Sequence, residues 1–107
     1  KKIAALAEAR GVLVVPHNPL SPVSTAACIQ LAAAIPNFAI QEYPLGEDSV
    51  PKNRIVKSTL TLKDGYLTVP EGPGIGIELN ESAMNDYPYK PRLYVTKLRE
   101  DGAVADQ

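Results

Sequence analysis

The chain is poor in the residues that most simply announce a function. Its 107 residues include one cysteine and one histidine. A single cysteine, Cys28, closes no intrachain disulfide, and on an apolar helical stripe it is expected to act as a small core residue. The lone His17, among scattered carboxylates, lacks the ligand spacing of a zinc or calcium site. No Ser or Cys nucleophile stands in a pattern that brings a base to it. Charge of one sign is missing too: 11 Lys and Arg against 12 Asp and Glu leave a net charge of −1. Nothing therefore draws the chain to nucleic acid or to an anionic membrane. No apolar run approaches the about 18 residues of a membrane span, and no basic segment leads into an apolar one as in a signal peptide. The expectation is a soluble, cytoplasmic protein with neither nucleic-acid nor membrane partners. No internal repeat is present. The length suits one small domain, able to bury about two thirds of its unfolded surface. The chain opens on Lys1-Lys2 without an initiator Met and enters a helix at once, so a longer parent protein is expected, and a targeting segment upstream stays open.

What is present is organised by residues 11–43, GVLVVPHNPLSPVSTAACIQLAAAIPNFAIQEY. Val12, Leu13, Val14 and Val15 are apolar on both faces, as in a parallel strand covered from both sides. Phe38, Ala39 and Ile40 form a second, shorter run of the same kind. Between them Ser21 caps a helix that carries Pro22 in its first turn, where a missing N–H costs nothing. Cys28, Leu31, Ala32 and Ile35 fall on one helical stripe, and Pro36 and Asn37 stop it. Ahead of this unit, Ile3, Leu6, Ala7 and Arg10 have helical spacing, with Gly11 at the C′ position. Helix, strand, helix, strand is the rhythm of a parallel α/β architecture, and two parallel strands joined by a helix make a right-handed βαβ unit.

The polar residues land at informative places. His17 and Glu42 each follow the last apolar residue of a strand, on the same C-terminal sheet edge that carries the chemistry of α/β barrels and open sheets. Neighbouring parallel strands lie about 4.8 Å apart, so the two side chains are able to share one pocket. Spacing alone leaves a second reading open: a lone His is often a satisfied structural residue, and a Glu at a strand end is often merely solvated.

Beyond Tyr43 the alternation ends. Residues 44–58 mix Pro, Gly and charge without period and read as loop, where a continued α/β pattern would have a helix. Leu60-Thr61-Leu62 and Tyr66-Leu67-Thr68-Val69 flank Lys63-Asp64-Gly65 as a β-hairpin. Residues 71–77, EGPGIGI, lack both the G-x-G-x-x-G spacing and a strand-to-helix context. A tight turn where backbone approaches backbone suits them better than a phosphate cradle. Asn80 is expected to cap a short helix ending near Tyr87 before Pro88. That cap explains it better than the glycosylation pattern Asn80-Glu81-Ser82. Leu93–Leu98 and Ala103–Ala105 flank Glu100-Asp101-Gly102 as a second hairpin, with Lys97, Arg99 and Glu100 solvated.

The segments Pro16-His17-Asn18-Pro19 and Ile35-Pro36-Asn37-Phe38 through Gln41-Glu42, with His17 and Glu42 spaced 25 positions apart, resemble the enolase superfamily. The likeness is to the mandelate racemase subgroup and its acid-sugar dehydratases, galactonate dehydratase in particular. The hairpin Leu60–Tyr66, the Gly72-Pro73-Gly74-Ile75-Gly76 turn and Ile77-Glu78-Leu79 are similar to the C-terminal segment of those enzymes. Asn18 and Ser21 depart from the Cys and Gly that galactonate dehydratases commonly show. The resemblance implies an α/β fold: residues 1–43 as the last two strands of a (β/α)8, TIM-like barrel, and residues 44–107 as a C-terminal segment of loop, hairpins and short helix that packs on a capping domain. It implies His17 as the general base that removes the proton α to a substrate carboxylate, and Glu42 as a hydrogen-bond partner of the substrate or enolate oxygen, protonated or acting through a donor. Pro16, Asn18 and Gln41 are implied as substrate-binding neighbours. Enolate chemistry of this kind uses a Lys or His base with Mg²⁺, and the implied metal ligands lie upstream of this chain. The implied partners are a sugar acid, the rest of the barrel with its cap, and further copies of the full enzyme as a homo-oligomer. The implied reaction is dehydration. Racemisation, epimerisation or cycloisomerisation through the same enolate, and a non-catalytic domain with a structural His17, are the alternatives. Three acidic residues at successive strand ends upstream would favour the enzyme, and a start codon directly before Lys1 the non-catalytic domain.

Overall fold

The computed structural model describes residues 1–91 and 97–105. Helix α1 spans Lys2–Glu8 and closes as expected at Gly11: the Gly11 N–H donates to Glu8 O at 2.9 Å and the Val12 N–H to Ala7 O at 2.9 Å, the Schellman pattern that satisfies the last carbonyls of a helix. The chain then runs out alongside residues 37–39. The Val14 N–H donates to Asn37 O at 2.8 Å and Val14 O accepts from the Ala39 N–H at 3.0 Å, which makes Val14 and Phe38 a parallel pair. The two expected strands are thus adjacent and parallel but reduced to this one bridge. Val12, Leu13, Val15 and Ile40 were expected to be buried on both sides and are instead exposed, Leu13 to 64%. No third strand or second layer of the described chain covers them. Asn37 ties the arrangement to α1, its side-chain amide donating to Ala4 O and to Val12 O, both at 2.9 Å.

Helix α2 spans Pro22–Ala33, with Pro22 in its first turn and the Ser21 hydroxyl accepting from the Ser24 N–H at 3.5 Å. Its buried face is Pro22, Thr25, Ala26 and Ile29, which corrects the stripe expected from Cys28, Leu31 and Ala32. Those three are only partly covered, Cys28 is a half-buried free thiol rather than a core residue, and of the expected stripe Ile35 alone is buried. A helix with apolar residues on nearly every side gives periodicity little to discriminate, so the face is chosen by what packs on it. Here that is the loop after Tyr43. The loop contains a single 3-10 turn, Lys52–Ile55, and continues into an antiparallel bridge between Val56 and Leu79. Residues 44–58 carry no periodic signal of this arrangement.

Strands β1, Leu62–Lys63, and β2, Tyr66–Leu67, form the expected hairpin with Leu62 opposite Leu67. Asp64 and Gly65 turn it, with φ of 51° and 81°, the left-handed pair that a two-residue hairpin turn requires. The expected tight turn lies within residues 71–77, where the Gly76 N–H donates to Pro73 O at 3.4 Å and the chain folds back on Pro70. Pro70 O accepts from Gln30 Nε2 at 3.0 Å, which seats the turn on α2, and a Cβ on Gly76 would overlap the Pro70 ring. Helix α3 is one turn, Ala83–Asp86. Asn80 does not cap it with its side chain: that amide donates to Arg54 O at 2.9 Å and its carbonyl accepts from the Ser82 hydroxyl at 2.7 Å. Leu98 and Val104 pair across the second hairpin, while Leu93–Thr96 of its expected first arm lie outside the described residues. No helix among the described residues is long and apolar enough to cross a membrane.

These elements do not close around a core of their own. The chain has a radius of gyration of 17.2 Å, against about 13 Å for a compact domain of this length. It exposes 8588 Å², against about 5,800 Å² for a compact monomer of this mass. The Pro70–Gly76 contact gives a direct check on the turn. Gly76→Ala has to combine a positive φ with that overlap, so it is expected to cost about 1–3 kcal/mol in denaturant unfolding; an unchanged midpoint would place Pro70 elsewhere.

Candidate functional site

Past the single Val14–Phe38 bridge, at the same spacing along the two segments, Asn18 stands against Glu42 and meets it through side-chain bonds. Glu42 Oε2 accepts from His17 Nδ1 at 2.9 Å and from the Asn18 backbone N–H at 2.6 Å. His17 is exposed, its side chain 81% accessible. A carboxylate only accepts hydrogen bonds, so it holds the proton of a neutral imidazole on Nδ1 and leaves the Nε2 lone pair free. The structure thus brings His17, Asn18 and Glu42 together at one sheet edge.

Of the other sequence-predicted site residues, Pro16 is buried directly before His17. Gln41 points to the other side of its strand. Its amide donates to Glu42 O at 2.7 Å, and its chain helps line a cavity of about 480 Å³ between α2, Phe38 and the hairpin residues Leu62 and Leu67. Asn18 presents its backbone to the site and its side chain inward. That side chain is fully buried, and Nδ2 donates to Thr25 Oγ1 at 2.7 Å and to Glu42 O at 3.1 Å.

Two residues that sequence reasoning passed over complete this inner layer. The Thr25 hydroxyl donates to Glu47 Oε2 at 2.5 Å, and both residues are fully buried. Glu47 stands in a charged, aperiodic loop, where a carboxylate ordinarily signals solvent. Only the seating of that loop beneath α2 buries it, and no local pattern announces such a seating.

The two carboxyls are pushed in opposite directions. The Asn18 amide is the largest influence on Glu42, and His17 adds to it. Together they outweigh partial desolvation and hold the carboxyl below the usual range. Both donors favour the charged form of Glu42. Burial pushes Glu47 up, Asp48 adds to the rise, and the Thr25 hydroxyl and Lys52 oppose it. Burial likewise raises the Tyr43 phenol, with Glu47 and Asp48 contributing. Among the described residues no group of three or more His, Cys, Asp or Glu side chains is placed to hold a metal ion. His17 and Glu42 offer at most two donors, which bond to each other, so this part of the chain does not by itself fit Mg²⁺.

A carboxyl whose folded pKa is raised contributes stability below its unfolded pKa and loses it as pH rises through the folded value. Glu47→Gln, isosteric with the protonated acid, is therefore expected to melt above the unmodified protein at neutral pH. The difference should close as pH falls to about 4. A difference that does not change with pH would contradict the burial of Glu47.

Comparison with known proteins bears on the family. The family model described as "Enolase C-terminal domain-like" matches residues 1–83. A "D-galactonate dehydratase family member" of Streptomyces bingchenggensis is 38% identical over 99% of this chain and 26% of its own. An enolase of Agrobacterium radiobacter, crystallised with sodium and L-malate, superposes with a TM-score of 0.76 at 36% identity, over 96% of this chain and 29% of its own. A Burkholderia xenovorans protein bound to magnesium and fumarate superposes with a TM-score of 0.77 at 31% identity, over 83% of this chain and 22% of its own. The chain spans about a quarter of the length of the curated relatives it matches. Each comparison leads to the same family, and the chain belongs to the enolase C-terminal domain-like family, among galactonate dehydratase relatives.

Proposed function

We propose that the chain is the C-terminal part of an acid-sugar dehydratase in which His17 removes the proton α to a carboxylate. The observation that carries this reading is the 2.9 Å contact between His17 Nδ1 and Glu42 Oε2, in which a neutral ring keeps its proton on Nδ1 and leaves Nε2 free at a sheet edge. An α-proton beside a carboxylate is weakly acidic, and an imidazole held in one tautomer suits its removal. Glu42 stabilises the imidazolium that forms, as the acid partner of a catalytic His does. Both contacts of its carboxylate fall on Oε2, so Oε1 is left to accept from a substrate hydroxyl. The C2 proton and the C3 hydroxyl then leave as water, and the enol product becomes a 2-keto-3-deoxy acid. The names of the dehydratase relatives and the dicarboxylates bound to two structural neighbours support a carboxylate substrate. The described residues do not supply a Mg²⁺ site, so in this reading the metal is held by other parts of the parent protein and no step here is assigned to it.

The open apolar surface supports the same reading. In it, residues 1–43 complete a barrel whose other strands cover Val12, Leu13, Val15 and Ile40. Residues 44–107 pack on a capping domain, and the parent enzyme is a cytoplasmic homo-oligomer. His17→Asn in the parent protein is expected to slow exchange of the C2 proton of D-galactonate with D₂O by about 100-fold or more. Exchange at the unmodified rate would overturn the assignment of the base. A racemised or cyclised product in place of a 2-keto-3-deoxy acid would keep the base and change the reaction.

A further inference from the structure

We propose that Glu47 is a positioning residue for the His17–Glu42 pair, acting through Thr25 and Asn18; the proposal rests on the reading of that pair as catalytic. Asn18 Nδ2 has two hydrogens, and both are used, one on Thr25 Oγ1 and one on Glu42 O. The Thr25 hydroxyl has one hydrogen, and it goes to Glu47 Oε2. The chain of bonds therefore has a single direction, from Asn18 through Thr25 to a terminal acceptor that only Glu47 supplies. At its other end, the residue that it anchors presents its own backbone N–H to the Glu42 carboxylate.

All three inner residues are fully buried, and Glu47 Oε1 is buried without a partner. An apolar side chain of similar volume would fill this space at lower desolvation cost, so packing alone does not account for a carboxyl here. The titratable and charged groups whose fields reach Glu47 are Tyr43, Asp48 and Lys52. None of these makes a hydrogen bond to Thr25 or Asn18 among the described residues, so none substitutes for Glu47 as the terminal acceptor. Without that acceptor the Thr25 hydroxyl turns to another partner, the Asn18 side chain loosens, and the Asn18 N–H no longer stays on Glu42.

The test compares Glu47→Leu and Thr25→Val, which break the chain of bonds, with Glu47→Gln, whose amide oxygen still accepts from Thr25. The primary readout needs no substrate: the carboxyl titration of Glu42, followed by NMR in parent protein labelled with δ-¹³C glutamate and assigned through Glu42→Gln. Glu47→Leu and Thr25→Val should raise the Glu42 pKa toward the ordinary carboxylate range, and Glu47→Gln should leave it unchanged. Exchange of the C2 proton of D-galactonate should fall about tenfold in the first two variants, with KM little altered, and persist in Glu47→Gln. If Glu47→Leu does not fold, the near-isosteric Thr25→Val carries the comparison. Identical Glu42 titration in every variant would overturn the proposal even where the protein turns substrate over. The expected titration shifts in a protein that exchanges no α-proton would uphold the positioning and overturn only the catalytic reading.

Discussion

One parallel register governs the functional end of this chain. The two hydrogen bonds that pair Val14 with Phe38 fix which residues face each other beyond them. A slip of one position would set Pro19 or His17 against Glu42 in place of Asn18, and the carboxylate would lose one of its two donors. Side chains alternate across a strand, so a slip would also turn His17 or Glu42 away from the shared edge. A single bridge is little to hold that register in isolation. Asn37 reinforces it from behind, bonding to the carbonyls of Ala4 and Val12. The chain of bonds from Asn18 to Glu47 holds it from the side of α2.

The polar interior is therefore better developed than the apolar one. Among the described residues the fully enclosed polar side chains Asn18, Thr25 and Glu47 sit around the site, whereas Val12, Leu13 and Val15 lie open to solvent. That asymmetry is what the proposed place in a larger barrel would require. The segment fixes its own site edge by hydrogen bonds while these apolar faces stay exposed. It also explains why Glu42 and Glu47 differ in charge preference although they stand close in sequence. One accepts from an amide and an imidazole at an open edge, and the other is enclosed with a single hydroxyl donor.

Much of this was legible in the sequence wherever a residue acts through its own backbone. Gly11 as a helix stop, Ser21 and Pro22 as a helix start, and Asp64-Gly65 as a hairpin turn all follow from local conformational preference. His17 and Glu42 were legible because strand ends of a βαβ unit share an edge. What escaped depends on contacts between distant segments. The buried face of α2 is chosen by the loop that packs on it, and the burial of Glu47 by the same event. Asn80 was read as a local cap, but its amide is drawn to Arg54 across the Val56–Leu79 bridge. In each case a tertiary partner outweighed a local pattern, and no window of sequence contains that partner.

In the proposed reading Glu42 holds His17 by Nδ1 and leaves Nε2 as the free base. The ¹⁵N shifts and long-range proton couplings of the His17 ring report this directly, since a bare and a protonated ring nitrogen are readily distinguished. At a pH where the ring is neutral its proton is expected on Nδ1 and a lone pair on Nε2, with that preference lost in Glu42→Leu. A ring protonated on Nε2, or one with the same mixture of tautomers whether or not Glu42 is present, would contradict it.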